Sequence, residues 1–291
     1  MSKKLTQAQV QQYRRDGYTF PIRAFSAEQA RHYRSELEAY EASVGAKITA
    51  LGRRTKHKMK TYMLCDWAYE IATHAAVLDA VEDILGPNLV LAHGNIFVKE
   101  ARTTEVAAWH QDAPYFGFEP IDEVAVWIAL SEATEESGFM KFLPGSVEMG
   151  VLQHKRGYVG SMNSLAQAVD MNVDESRAVQ ASLAPGEFSM HHPCLLHYSG
   201  PNRSADRRIG YQMVYVPTHV RCTGSKKRTG LLVRGVDTYG NFELDDLTGL
   251  DEAGRYAAHE HACQRFRDCH DEQVRWHEEG RDKYGRERAT A

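Results

Sequence analysis

The sequence predicts a mainly β fold with flanking helices (α+β), a sandwich or barrel supported by helices from its N-terminal part. Three observations predict it. From Asn88 onward the chain breaks into short runs rich in Val, Ile, Phe and Trp, separated by polar turns. Before residue 88 the helix-favouring segments dominate. The strand-like runs do not alternate with helices as in βαβ units, and no G-x-G-x-x-G or P-loop sequence is present, so nucleotide binding by those devices is unsupported.

In chain order, Thr6 to Arg15 favours a helix, with Gly17 as its stop and a strand around Tyr18, Phe20 and Ile22. Ser26 and Gln29 have capping-box spacing and open a longer amphipathic helix to about Ala42. Residues 46–64 are basic and irregular, either a loop over a site or an exposed connection. His74 to Leu85 is a third helix, closed by Gly86 and Pro87. Strands are expected in 88–100, 106–116, 124–133, 186–192 and 208–217, with turns at Ser137-Gly138 and Pro144-Gly145. Residues 151–182 lack strand pattern and are long for a connection, which makes them either a lid or a surface insertion with its own helix. A Gly-rich loop to Gly249 follows Pro217, then a polar helix from about Asp251 to Arg281 that packs on the outside.

The 291 residues read as one domain: helical support over 1–87, a β core over 88–218 and an extension over 219–291. A net charge of -4 gives no electrostatic case for nucleic acid or an anionic membrane surface. The basic run Lys226, Lys227, Arg228 reads as a solvated loop. Five scattered cysteines without a C-x-x-C pair fit a reducing compartment and argue against structural zinc. With a polar N-terminus and no apolar run of about 18 residues, the expected location is cytoplasmic, with no membrane span.

The chemistry centres on Trp109, His110, Gln111 and Asp112. In an extended segment, side chains at i and i+2 share a face, so His110 and Asp112 can converge on one ion. Adding a second imidazole completes the two-histidine, one-carboxylate set that suits non-haem iron(II) and leaves positions open. With 14 histidines and 39 acidic residues, His-x-acid pairs also arise by chance. His270 with Glu272 and His277 with Glu279 are two such pairs, both in the helical tail, where i and i+2 do not share a face. The second imidazole can come from His191, His192 or His197, and spacing alone does not choose.

The stretch HYSGPNRS (197–204), followed by an arginine and a strand, resembles the closing motif of the phytanoyl-CoA dioxygenase family. WHQDAPY, SGFMKFLPGS and GEFSMHHPCLLH are similar to that family's other segments, and the likeness covers roughly residues 8–218. Val147 departs from a histidine frequent in the family after PGS. The resemblance implies a double-stranded β-helix, or cupin-like jelly roll, with N-terminal helices on the major sheet. It implies His110, Asp112 and His197 as ligands of Fe(II), with 2-oxoglutarate and O2 as co-substrates. It places the arginine for the far carboxylate of 2-oxoglutarate at Arg208, with Arg207 as the alternative on the opposite face of the strand and Arg203 in the loop. A guanidinium suits that task because it can grip a carboxylate through two parallel, charge-assisted hydrogen bonds.

The motif order is also similar to that of syringomycin-type aliphatic halogenases. Those enzymes replace the metal-binding carboxylate by a small residue, so the retained Asp112 disfavours halogenation. By position in that branch, Asn95, Phe97 and Trp127 line the pocket or simply pack in the core; Tyr115 and Phe116 form an aromatic wall or are buried. The implied function is hydroxylation of an unactivated C–H bond of a small molecule with release of succinate and carbon dioxide. Desaturation, epoxidation or cyclisation share the cofactors; a non-catalytic cupin-like metal-binding protein and a zinc hydrolase are the alternatives from other classes. The basic residues of 46–64, Lys58 among them, either face an anionic substrate or are solvated. A carrier-tethered substrate is not favoured, and no motif specifies an oligomeric state.

Overall fold

The computed structural model describes residues 2–163 and 165–287; residues 1, 164 and 288–291, which fall in the N-terminal, lid and tail spans above, lie outside the described residues. Helix α1 (Gln7–Asp16) starts at a capping box in which Thr6 and Gln9 satisfy each other's backbone N–H, and it ends at Gly17 in the left-handed conformation. Ser26 and Gln29 do the same for α2 (Ala27–Val44). Next come α3 (Asp66–Ala72) and α4 (Ala75–Leu85), the latter opened by His74 and closed by Gly86. The short α3 has no side-chain cap, so the sequence carried no start signal for it. A single turn, α5 (Ala113–Phe116), and the long α6 (Glu252–Glu278) complete the α-helices described.

A seven-stranded sheet runs in the order β1 (Tyr18–Arg23), β10 (Glu187–His191), β5 (Val124–Ala129), β12 (Arg208–Pro217), β2 (Leu89–Lys99), β14 (Thr229–Arg234) and β15 (Glu243–Leu244). It is antiparallel except for the β14–β15 pair. A four-stranded sheet has the order β3 (Ala107–His110), β11 (His197–Ser199), β6 (Met140–Phe142) and β9 (Val179–Ala181). Two-stranded pairs join β13 (Arg221–Cys222) to β4 (Phe118–Glu119), and β7 (His154–Lys155) to β8 (Ala168–Val169). This is the mainly β fold with flanking helices expected from the sequence.

Alternation assigns the faces of the large sheet. On β12, Ile209, Tyr211, Met213 and Tyr215 pack with α1–α4 residues such as Leu37, Ile71 and Leu78 in the main core. Arg208 and Gln212 point the other way, into a cavity. On β2 the pairing with β12 shifts between Leu91 and His93, which leaves Ala92 as a bulge. The bulge changes the parity of the strand: Leu89 and Leu91 face the helices before it, and Ile96 and Val98 after it, so His93, Asn95 and Phe97 reach the cavity.

Four sequence expectations require correction. Residues 219–249 are not only loop, because β14 extends the major sheet beside β2. Arg228 is not solvated: it is 2% exposed, its guanidinium lies 5.3–5.6 Å from the ring centres of Phe116, Phe118 and Phe266, and it donates to the carbonyls of Tyr115 and Phe116. Its two neighbours do sit at the surface, with Lys226 paired to Asp268. The tail helix α6 is not merely an outer layer, since His259, Cys263, His270 and His277 are buried. Residues 151–182 form no α-helix among the described residues; they supply β7, β8 and β9. No helix among the described residues is long and apolar enough to cross a membrane.

Candidate active site

His110 ends β3 and His197 begins β11, and the antiparallel register sets the two residues directly opposite one another. Their rings are 4.1 Å apart between centres. Each Nδ1 lies against the carbonyl two residues earlier, at 2.7 Å for His110 to Ala108 and 3.0 Å for His197 to Leu195. An Nδ1–H donated there leaves the Nε2 lone pair free to ligate. Asp112 does not share a strand face with His110 as the extended reading assumed. The strand ends at His110 and Asp112 has helical torsions at the start of α5, where Pro114 favours a first turn. Asp112 and Ala113 both donate their backbone N–H to the Pro193 carbonyl, which pins this turn beside β11. Asp112 Oδ1 then lies 3.7 Å from His110 Nε2.

One ligand atom from each of His110, Asp112 and His197 falls within 4.8 Å of the others, a donor set compatible with a single ion. Burial is the largest influence on both histidines and pulls them below their usual pKa, which favours the neutral form that ligates. Burial alone would raise the Asp112 carboxyl; His191, His197 and His110 outweigh it and hold the group below the usual carboxylate range. Gln212 Nε2 donates to Asp112 Oδ2 at 3.2 Å and orients it from the neighbouring sheet. The other two candidate imidazoles sit differently. His191 also faces the cavity, 1% exposed, with neither ring nitrogen hydrogen-bonded and Nε2 3.9 Å from Asp112. His192 turns away, and its Nδ1 accepts from the Cys194 N–H.

Arg208 closes one end of the same cavity. It is 2% exposed and stacks over Trp127 at 4.9 Å, with Nη1 donating to the Gly138 carbonyl and to Ser199 Oγ. Its Nε has no partner and no acid among the described residues pairs with it; burial lowers its pKa to about 10. An unpaired buried cation is costly, so this end is built to receive an anion. Lys99 braces the arrangement from β2 by donating to Ser199 Oγ at 2.7 Å. Arg207 points to the opposite face, where it pairs with Glu41 at 2.7 Å and Glu100 at 3.0 Å.

Gly210 sits between these groups because a Cβ there would lie 1.9 Å from Trp127 Cζ2. We expect Gly210→Ala to displace the indole, weaken binding of a carboxylate at Arg208 and cost about 1–3 kcal/mol of stability by overpacking. Denaturant unfolding together with a 2-oxoglutarate titration checks both effects.

The sequence-derived candidates Asn95, Phe97 and Trp127 all line the cavity, as do Tyr115 and Phe116. The sequence reading missed His93, Gln212, Met162, Gln167, Phe266 and His270, which also line it. Gln212 was accessible by parity, being four residues on from Arg208 along one strand. The others needed the β2 bulge, the fold of 151–182 and the docking of α6.

A phytanoyl-CoA dioxygenase (PhyH) family model matches residues 13–210. A probable alpha-ketoglutarate-dependent hypophosphite dioxygenase of Stutzerimonas stutzeri is 26% identical over 251 residues, covering 79% of this chain and 86% of that one. A probable phytanoyl-CoA dioxygenase of Caenorhabditis elegans is 27% identical over 144 residues, 47% of this chain, and the match spans only 46% of the nematode protein. Among solved structures, the apo form of the non-heme monooxygenase ThoJ superposes with a TM-score of 0.80 at 30% identity, covering 91% of this chain and 98% of that one. With the family model running from the end of α1 into β12, through both strands that carry the paired histidines, the chain belongs to the phytanoyl-CoA dioxygenase family.

Proposed function

We propose that the protein is an iron(II)- and 2-oxoglutarate-dependent dioxygenase that hydroxylates an unactivated C–H bond of a small molecule, releasing succinate and carbon dioxide. The observation that carries this reading is one cavity holding His110, Asp112 and His197 together with the unpaired Arg208. The alpha-ketoglutarate dependence named for the Stutzerimonas relative supports it.

His110, Asp112 and His197 would hold iron(II), and Arg208 would hold the far carboxylate of 2-oxoglutarate against Trp127. Iron with 2-oxoglutarate and O2 supplies the oxidising chemistry, which no side chain here can provide alone. The chain's own task is to orient and to keep water out. Gln212 fixes the Asp112 carboxylate, the two backbone carbonyls fix the imidazole tautomers, and Phe97, Phe116 and Phe266 wall the cavity with apolar surface.

The test is succinate formation and oxygen uptake by protein loaded with iron(II) without oxygen, then given 2-oxoglutarate, ascorbate and a metabolite panel. Expected are equal yields of succinate and hydroxylated product with at least one panel member. No succinate with any of them, or tightly bound zinc that iron does not replace, would overturn the reading.

A further inference from the structure

The basic stretch 46–64 resolves into side chains with partners and one without. Lys47 pairs with Glu100, Arg53 with Glu105 at 3.7 Å, Arg54 with Asp271 at 2.6 Å, and Lys56 with Glu260. Lys60 is buried against Asp245 at 2.9 Å. Lys58 lines the cavity that contains the metal-ligating set, is only partly exposed, and makes no hydrogen bond or ion pair among the described residues. Its position follows from Thr55, which caps the short turn over Lys56–Lys58, and from the bridge that ties Met59 to Asn95 on β2.

The charge lining the cavity is lopsided. Asp112 is its one acid among the lining residues, and that carboxylate lies within the metal-ligating set. Among the described lining residues no other acidic side chain remains to hold a cationic substrate. Further polar groups in the same cavity are Asn95, bridged to Met59 and with an Oδ1 that has no partner, and His93, whose Nδ1 has none. Burial, then Arg53, pulls the Lys58 ammonium down to about 8, with Glu105, itself paired to Arg53, opposing.

Resting on the oxygenase reading above, we propose that the substrate carries an anionic group, a carboxylate or a phosphonate-type oxyanion, that pairs with Lys58, while its remaining body lies against Phe97, Phe116 and Phe266. Arg208 and Lys58 thus divide the two anions between them, one for the co-substrate and one for the substrate. Partial desolvation strengthens the pairing at Lys58, and the other cations of the segment are neutralised by their own partners.

The probes are 3-phenylpropanoate, 3-phenylpropylphosphonate, 3-phenylpropanamide and 3-phenylpropylamine, whose rings match the aromatic wall. Binding is measured calorimetrically without oxygen, on protein loaded with iron(II) and saturated with 2-oxoglutarate so that the Arg208 end is filled. At least one anion should bind about tenfold or more tightly than the amide, the loss expected for one charge-assisted hydrogen bond. The amine should bind worst. Lys58→Met should erase this preference with an unchanged melting temperature, and Lys58→Arg should keep it. Which anion binds better separates the carboxylate from the phosphonate source. Equal affinity for anions and amide, no binding of either anion, or a preference that survives Lys58→Met would overturn the proposal. A failure of the oxygenase reading shows differently, as wild-type protein that neither binds 2-oxoglutarate nor forms succinate.

Discussion

His197→Ala should strip the protein of tightly held iron(II) and reduce succinate formation to background, whereas His191→Ala should retain most of both. His197 is one of three residues whose ligand atoms lie together, with its Nδ1 anchored on Leu195 so that Nε2 is aimed inward. Groups that merely orient a ligand are worth about 10–100-fold in metal affinity, so losing a ligand outright should exceed about 100-fold. His191 lies beside the same carboxylate but outside that set, with both ring nitrogens unpartnered. Anaerobic iron titration of the two variants decides the matter. Equal iron loss in both would mean that His191 is a ligand and the assignment is wrong.

The second large effect belongs to Arg208. Arg208→Ala should raise the concentration of 2-oxoglutarate required by about 100-fold, corresponding to about 3 kcal/mol for a buried charge-assisted pairing, with iron binding nearly intact. The guanidinium is buried with no acid paired to it among the described residues, so on the proposed assignment its removal would leave the co-substrate carboxylate without a counter-charge. Arg207→Ala should behave in the opposite way. Its loss leaves Glu41 buried without its partner and should cost about 2–4 kcal/mol of stability while leaving the 2-oxoglutarate requirement unchanged. Steady-state titrations alongside denaturant melts separate the two; equal effects on the co-substrate requirement would show the strand register to be wrong.

The helix cap at Ser26, the β12 span and the separation of Arg207 from Arg208 were legible because they depend on local signals: a side chain three residues from its backbone partner, or the two-residue period of a strand. Arg228 and α6 were misjudged for a related reason. Lys226, Lys227 and Arg228 have the same local character, yet Arg228 alone meets Phe116, Phe118 and Phe266, which come from distant parts of the chain. The polar composition of α6 likewise concealed Phe266 and His270, which line the cavity.

By itself the sequence determined the fold class, the family resemblance and the candidate set His110, Asp112, His197 and Arg208, because motif order and strand parity are properties of the chain. Only the tertiary structure decided how these residues meet. The β3–β11 register sets His110 opposite His197, and a helical turn, where a continued strand was expected, brings Asp112 to them. The bulge at Ala92 turns His93, Asn95 and Phe97 toward the cavity, and paired neighbours leave Lys58 as the unpaired cation of its segment. Each of these depends on contacts between residues far apart in sequence. A one-residue shift in strand pairing, or one distant acid, reverses where a side chain points or whether its charge is met.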